Sequence, residues 1–301
     1  IVTDRTERFL EEAESGVYIS SACPVVVEYI RKYSPDHVRF ITPIISPMLA
    51  HAKILKQLYG EDVKIVFAGP CICKKLEADY FNNLVDVVIT FKDLKKWFEQ
   101  SDINLKNIAP NQPEARFVPY RSGMGAYYPI EGGMLKGMQE GKKQIHHMAF
   151  SELSTVKDVL KELDSHREND SIFLELLACK GGCINGPAKL SHISPALKRY
   201  EIIHQSELGN PKDDFKNIDL QILFCKDPHV QDHTYTEEEI KQAMAVVGKT
   251  GPEDELNCSG CGYDSCRDFA IAMLEGRAEE NMCVSYMRKI AHDKATVLLQ
   301  K

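Results

Sequence analysis

The chain has 301 residues, 44% of them hydrophobic and 27% charged, which is long enough for one large domain and one small one. Its net charge of −7 argues against nucleic acid or an anionic membrane surface as a partner. No run of 18 apolar residues is present to span a bilayer, and the opening residues Ile1, Val2 and Thr3 show neither a secretory pattern nor an initiator Met.

In chain order, β-branched apolar runs at 38–41, 63–67, 87–89 and 172–177 predict strands, while 47–59 and 93–100 carry helical spacing. Alternation of this kind predicts an α/β fold, with largely parallel sheets flanked by helices, over residues 1 to about 205. Two of these strands lead into cysteine loops, at Gly69-Pro70-Cys71 and Ala178-Cys179. Open α/β sheets hold their ligands at strand carboxyl ends, so a cofactor is expected there. The polar stretch 205–234 reads as a connection with one strand at 220–225. Thr236 and Glu239 then have the spacing of a capping box. A helix is expected over 267–280. The tail carries Met287, Ile290, Ala291, Val297 and Leu298 at helical spacing. The predicted domains are a cluster-binding α/β domain at 1–234, a small helical cysteine domain at 235–283, and a helix at 284–301 leading to an output region. Both ends of the chain read as cut from something longer.

Ten cysteines are present. In a large chain without a signal sequence they are expected to be reduced and metal-binding, which implies a cytoplasmic location. Cys258, Cys261 and Cys266, with Cys283 after sixteen more residues, supply four thiolates from one segment. That set suits a [4Fe–4S] cluster. Structural zinc, the alternative, usually shows two similar CxxC knuckles. Gly260 and Gly262 flank the second ligand, where backbone must wrap closely. The segment also resembles the small four-iron domain of anaerobic redox proteins, with electron transfer or redox sensing as its role.

Three further islands carry cysteines beside Gly or Pro: Ser20-Ser21-Ala22-Cys23-Pro24, Gly69-Pro70-Cys71-Ile72-Cys73-Lys74, and Ala178-Cys179-Lys180-Gly181-Gly182-Cys183. A lone free cysteine is usually a packed core residue. Three islands in one domain make coincidence a poor account, and Cys23, Cys71, Cys179 and Cys183 again make four thiolates.

Together the islands closely resemble the three signature motifs of the [FeFe]-hydrogenase catalytic domain. The resemblance covers most of residues 17 to 200 and extends to the Gly-Gly loop at 127–134. It implies an H-cluster, in which Cys23, Cys71, Cys179 and Cys183 hold a cubane. Cys183 would bridge to a diiron unit carrying CO, cyanide and an azadithiolate, and Lys74 matches the lysine that donates to a cyanide. The C-terminal module resembles the extension of the sensory members of that family.

Departures from the family pattern are specific. Active enzymes place a proton-carrying cysteine where this chain has Ala22, which has no exchangeable proton. Thr42 falls where the relay has a hydroxyl, and Glu7, Glu11 and Glu12 fall in the region of its outer acids. Gly69 and Leu177 stand at positions that look like methionines in the fast enzymes. Cys73 is an extra thiol, read as packed or as a substitute proton group, and Cys225 reads as structural. The expectation is a sensory [FeFe]-hydrogenase of anaerobic metabolism that binds H2 and cleaves it slowly, passing redox state to the additional [4Fe–4S] cluster. Its expected partners are H2 and protons, a redox partner or regulatory output domain, and maturation proteins, with a homodimer left open. The alternatives are a ferredoxin-linked or bifurcating hydrogenase with another proton path, and a cubane-only scaffold without enzyme activity.

Overall fold

A computed structural model describes residues 1–81, 83–104, 117–118, 122–139, 141–163, 170–190, 193–205, 215, 217–227 and 235–299, with side chains at 205 and 297–299 left aside. The chain divides into two compact units, Ile1–Val230 and Gln231–Lys301.

Unit 1 is α/β. It begins with α1 (Val2–Glu12), β1 (Val17–Ile19), α2 (Pro24–Tyr33), α3 (Pro47–Tyr59), β2 (Val66–Gly69), α4 (Cys73–Tyr80), β3 (Val87–Thr90) and α5 (Phe91–Gln100). It continues with β4 (His146–Ser151), α6 (Leu153–Glu162), β5 (Ile172–Leu177) and α7 (Pro195–Gln205). The strands form two sheets, one ordered β1-β5-β4 and one pairing β2 with β3, and every pairing is parallel. Strand β5 is central, with Phe173 facing both Tyr18 and His147 and Leu174 facing both Ile19 and Met148. A central parallel strand covered on both faces reads as a near-continuous apolar run. Phe173, Leu174 and Leu176 are each at most 1% exposed. Burying each is worth about 1.5–3 kcal/mol. Two apolar clusters make up the core of this unit, one around Leu49, Met134 and Phe173, the other around Ile19, Val26 and Leu174.

Three expected strands differ from the structure. Residues 38–40 belong to a 3₁₀ turn, Pro35–Phe40, because Pro35 fixes φ at its start; Ile41, just after it, makes one parallel bridge to Ile19. The run expected at 63–67 pairs only over Val66–Gly69. Upstream, Val63 closes a turn onto Gly60, and the Ile65 N–H donates to the Asp86 carboxylate at 2.8 Å. The segment expected as a strand at 220–225 makes one antiparallel bridge, Gln221 to Ile44. The remainder of the 205–234 connection lies largely outside the described residues.

Unit 2 contains α8 (Glu237–Val246), α9 (Cys266–Leu274) and α10 (Val284–Leu299). Thr236 and Glu239 form the reciprocal capping box at the start of α8. The helix expected to reach residue 280 stops at Leu274. Gly276 takes φ +68, its N–H bonds Met273 O, and the Arg277 N–H bonds Ala272 O at 2.8 Å. That is a Schellman cap, which only a residue tolerant of the left-handed region completes without strain. Ile240, Ala243, Met244 and Ala270 form the apolar contact between α8 and α9.

Candidate metal centres

In unit 1, each island sits at the carboxyl end of a strand, for a local reason. After β1 the chain turns at Cys23, which caps α2 with Pro24 in the first helical position. Cys71 lies in the loop between β2 and α4. Cys179 follows β5, and Cys183 opens a short 3₁₀ turn, Cys183–Asn185. Gly181 (φ +74) and Gly182 (φ +104) make the tight loop between the last two.

Close backbone approach brings the islands together. A Cβ on Gly182 would stand 2.4 Å from Pro129 O, and one on Gly186 would stand 2.7 Å from Pro70 O. The Ala188 N–H donates to Pro70 O at 3.1 Å, tying the third island to the second, and the Ile184 N–H donates to Pro129 O at 3.0 Å. The loop at 127–134 is therefore seated on the third island. Ser151 Oγ accepts from Gly181 N–H at 2.8 Å and bonds the Glu131 carboxyl.

Three of the thiols, Cys23, Cys179 and Cys183, respond to one electrostatic environment in which Cys71 takes part. Burial pushes Cys183 up to about 12, and Cys23, Cys179 and Cys71 push in the same direction while Lys74 opposes. Burial likewise pushes Cys179 up to about 11, with Cys23 and Cys71 adding to it. Cys23, 6% exposed, is raised first by burial and then by Cys71. Thiols this dry and this mutually repulsive become thiolates together only when a strongly cationic group neutralises them, as an iron–sulfur core does. The donor set fits such a group. Among the described residues, no three His, Cys, Asp or Glu side chains are grouped to hold a single metal ion.

Lys74, in the first turn of α4, is buried. Its ammonium donates to Ser46 Oγ at 3.0 Å and to Glu77 Oε2 at 2.6 Å. Ala22 lies between Ser21 and Cys23, with its N–H on Ser20 Oγ at 3.3 Å. Thr42 is 1% exposed, and its N–H bonds Ile19 O at 2.8 Å. Gly69 ends β2, where an added Cβ would meet the Phe67 ring at 2.7 Å, and Leu177 ends β5 at 4% exposure. Glu7 and Glu11, by contrast, accept from the backbone N–H groups of Gln139 and Lys143.

Sequence reasoning missed two features. A cavity of about 210 Å³ lies beside the site, lined by Ser21, Glu28, Ser46, Cys73, Glu77 and Cys225 among others. It shares Ser46 and Glu77 with Lys74; the i,i+3 spacing of Lys74 and Glu77 on a helix was the available signal. Cys73, raised to about 11 by burial and then by Cys71 and Cys23, faces this cavity, and Cys225 is exposed rather than packed. The second is Glu175, in the middle of β5 and 2% exposed. It accepts from the Met134 N–H at 3.3 Å, its other oxygen has no hydrogen-bond partner, and burial raises its carboxyl to about 7.

In unit 2, Cys258, Cys261, Cys266 and Cys283 line one pocket together with Lys249, Asn257 and Ser285. Asn257 (φ 44) and Ser259 (φ 54) bend the chain around it, and Asn257 Oδ1 accepts from the Cys266 N–H at 2.8 Å. Cys266 and Cys283 are buried.

An α/β unit with four thiols at its strand ends, followed by a helical unit with four more, defines an iron–sulfur protein with a hydrogenase-type fold. The chain belongs to the family described as iron only hydrogenase large subunit, C-terminal domain, whose model matches residues 1–187. An Fe-S cluster family model matches residues 254–285. Iron hydrogenase 1 of Clostridium pasteurianum is 24% identical over 299 residues, covering 83% of this chain and 50% of that protein. A cytosolic Fe-S cluster assembly factor of Danio rerio is 26% identical over 264 residues, covering 67% of this chain and 62% of that protein. The chain thus spans about half to three-fifths of the length of these relatives. A solved [FeFe]-hydrogenase structure aligns with TM-score 0.50 at 17% identity, over 75% of this chain and 80% of that one. Unit 1 therefore has the fold of the hydrogenase H-cluster domain.

Proposed function

We propose that this chain is the core of a sensory [FeFe]-hydrogenase that binds H2 and cleaves it slowly and reversibly, reporting its redox state through a C-terminal [4Fe–4S] cluster. The observation that carries the reading is Lys74: a buried ammonium, fixed by Ser46 and Glu77, that acts electrostatically on the Cys183 thiol. A fixed cation beside a dry thiol site is worth far more than on a surface, and it suits an anionic ligand there.

In this reading Cys23, Cys71, Cys179 and Cys183 would hold the H-cluster. When bound, an H-cluster supplies heterolytic hydrogen chemistry and electron storage. The chain's own residues set the rest. Lys74 would orient and stabilise negative charge at the pocket wall, Gly69 and Leu177 would shape that wall, and the burial of Cys23, Lys74 and Leu177 would limit water there. Ala22 holds no proton beside the site, so a proton must reach it without a side chain at the position next to the first ligand. General acid–base help of this kind is worth about 10²–10⁴-fold, so turnover is expected to be slow. Slow consumption suits a sensor. No helix among the described residues is long and apolar enough to cross a membrane. A cytoplasmic site of action, maturation proteins that load the diiron unit and a regulatory output partner belong to the same proposal.

A second reading, an Fe–S assembly scaffold holding only cubanes, is favoured by the similarity to the Danio rerio protein. Infrared spectroscopy of anaerobically matured protein, under argon and then hydrogen, separates the two. Sharp CO and cyanide bands that shift under hydrogen, with turnover raised at least about 10²-fold by Ala22→Cys, are expected of the sensor. Full iron loading without such bands replaces it with the scaffold. Bands together with fast native turnover leave a hydrogenase but remove the sensory role.

A further inference from the structure

We propose that Lys249 sets the reduction potential of the C-terminal cluster, acting on it partly through the Ser285 hydroxyl. The inference rests on reading the unit 2 pocket as a [4Fe–4S] site.

The backbone aims Lys249 inward. At the end of α8, Gly248 takes φ +70, its N–H bonds Ala245 O at 2.9 Å, and the Lys249 N–H bonds Met244 O at 3.0 Å. This is again a Schellman cap, and Lys249 stands at the position that normally makes the apolar contact closing the motif. Here that position holds a lysine only 6% exposed. Its ammonium donates to Asp254 O at 2.8 Å and reaches Ser285 Oγ at 3.5 Å, and Ser285 Oγ lies 3.3 Å from Cys283 Sγ. Lys249, Ser285 and all four cysteines line the same pocket.

No carboxylate among the described residues pairs with this ammonium. The nearby Asp254 carboxylate accepts instead from the N–H groups of Thr250 and Gly251 at 3.0 and 3.1 Å, and from the Thr250 hydroxyl. Lys249 still acts on that carboxylate through space, but its hydrogen bonds go only to neutral oxygens. Burying a cation this way is costly, and more of the cost is recovered when an anion occupies the same pocket. A cubane held by four thiolates is a net dianion when oxidised and a trianion when reduced. A fixed cation in a low-dielectric wall favours the more negative state. Net charge and hydrogen bonds near the sulfurs are the protein's main controls on cluster potential. Lys249 supplies the first, and Ser285 is placed to relay it to Cys283. Lys249 is a positioning and charge-setting residue, not a catalytic one.

The test is a redox titration of the full chain with both clusters loaded, followed by electron paramagnetic resonance, with the unit 1 cubane as internal reference. The C-terminal signal is assigned by its loss in Cys258→Ser. Lys249→Met should lower the C-terminal midpoint by at least about 59 mV, a tenfold fall in the reduced-to-oxidised ratio at fixed poise. Lys249→Arg should stay within threefold of the native ratio, and Ser285→Ala should shift in the same direction as Lys249→Met but less. An unmoved potential in Lys249→Met overturns the inference, leaving Lys249 as a tie to the Asp254 carbonyl. Should Lys249→Met fail to hold a cluster, an unmoved potential in Ser285→Ala overturns the relay. A native chain with no reducible C-terminal cluster removes the [4Fe–4S] reading itself, and the inference with it.

Discussion

The two cysteine sites bring four thiols together by opposite routes. Unit 2 gathers Cys258, Cys261, Cys266 and Cys283 from one short segment, bent by Asn257 and Ser259 and closed by the first turns of α9 and α10. Unit 1 gathers Cys23, Cys71, Cys179 and Cys183 from three islands that become neighbours only once β1, β2 and β5 are laid in their sheets. The first site is a local loop with a core attached. The second is a product of the whole fold, in which burial and the neighbouring thiols raise Cys179 and Cys183. A site built locally should survive damage elsewhere. A site built from tertiary contacts should fail when any one contact between its islands fails.

The largest effect expected from this contrast is at Gly182. Its φ of +104 and the 2.4 Å approach of Pro129 O leave no room for a Cβ. Gly182→Ala should abolish unit 1 cluster loading while leaving the C-terminal cluster intact, and Cys266→Ser should do the reverse. Iron content and the two reduced-cluster signals read this directly. Loss of both signals in Gly182→Ala would mean that the two sites are not independent.

A smaller effect separates the units by pH. The Glu175 carboxyl, raised to about 7 by burial, binds a proton in the folded state that an unfolded chain releases at ordinary carboxylate pH. Its contribution is full below about pH 4.5 and is lost as pH rises through about 7, a swing of up to about 3 kcal/mol. Glu175→Gln should therefore flatten the fall in unit 1 stability between pH 5 and 8, as followed by hydrogen exchange at β5 amides. Exchange in α8 and α9 should not change. A native pH dependence surviving in the variant would place its origin elsewhere.

The smallest effect is at the cap of α9. Gly276→Ala forces a side chain into the left-handed region at φ +68, at a cost of about 1–2 kcal/mol. Exchange protection should fall at the C-terminal end of α9 while the unit 1 amides stay as they are. Unchanged protection in α9 would show that the turn relaxes without strain.

Much was legible before folding, and the reason is periodicity. Strand β5 and helix α3 match their apolar patterns residue for residue, because a buried parallel strand and an amphipathic helix write their geometry into composition. The Thr236–Glu239 box was legible because its chemistry is confined to four residues. Strand β4 begins with two exposed histidines and carries little apolar signal, so its pairing with β5 emerges only in the sheet. Residues 38–41 misled because β-branched composition does not distinguish a strand from a turn started by Pro35.

The same division holds at the sites. The sequence determined which cysteines are present to ligate metal, how they are spaced, and that Ala22 carries no proton, since these are properties of side-chain chemistry and spacing. Only the tertiary structure decided how dry each thiol is, that Lys74 is fixed between Ser46 and Glu77, that Cys73 faces a cavity, and that Lys249 is buried against the second cysteine set. Burial and electrostatic coupling depend on what packs around a group from distant parts of the chain, and no local pattern encodes that.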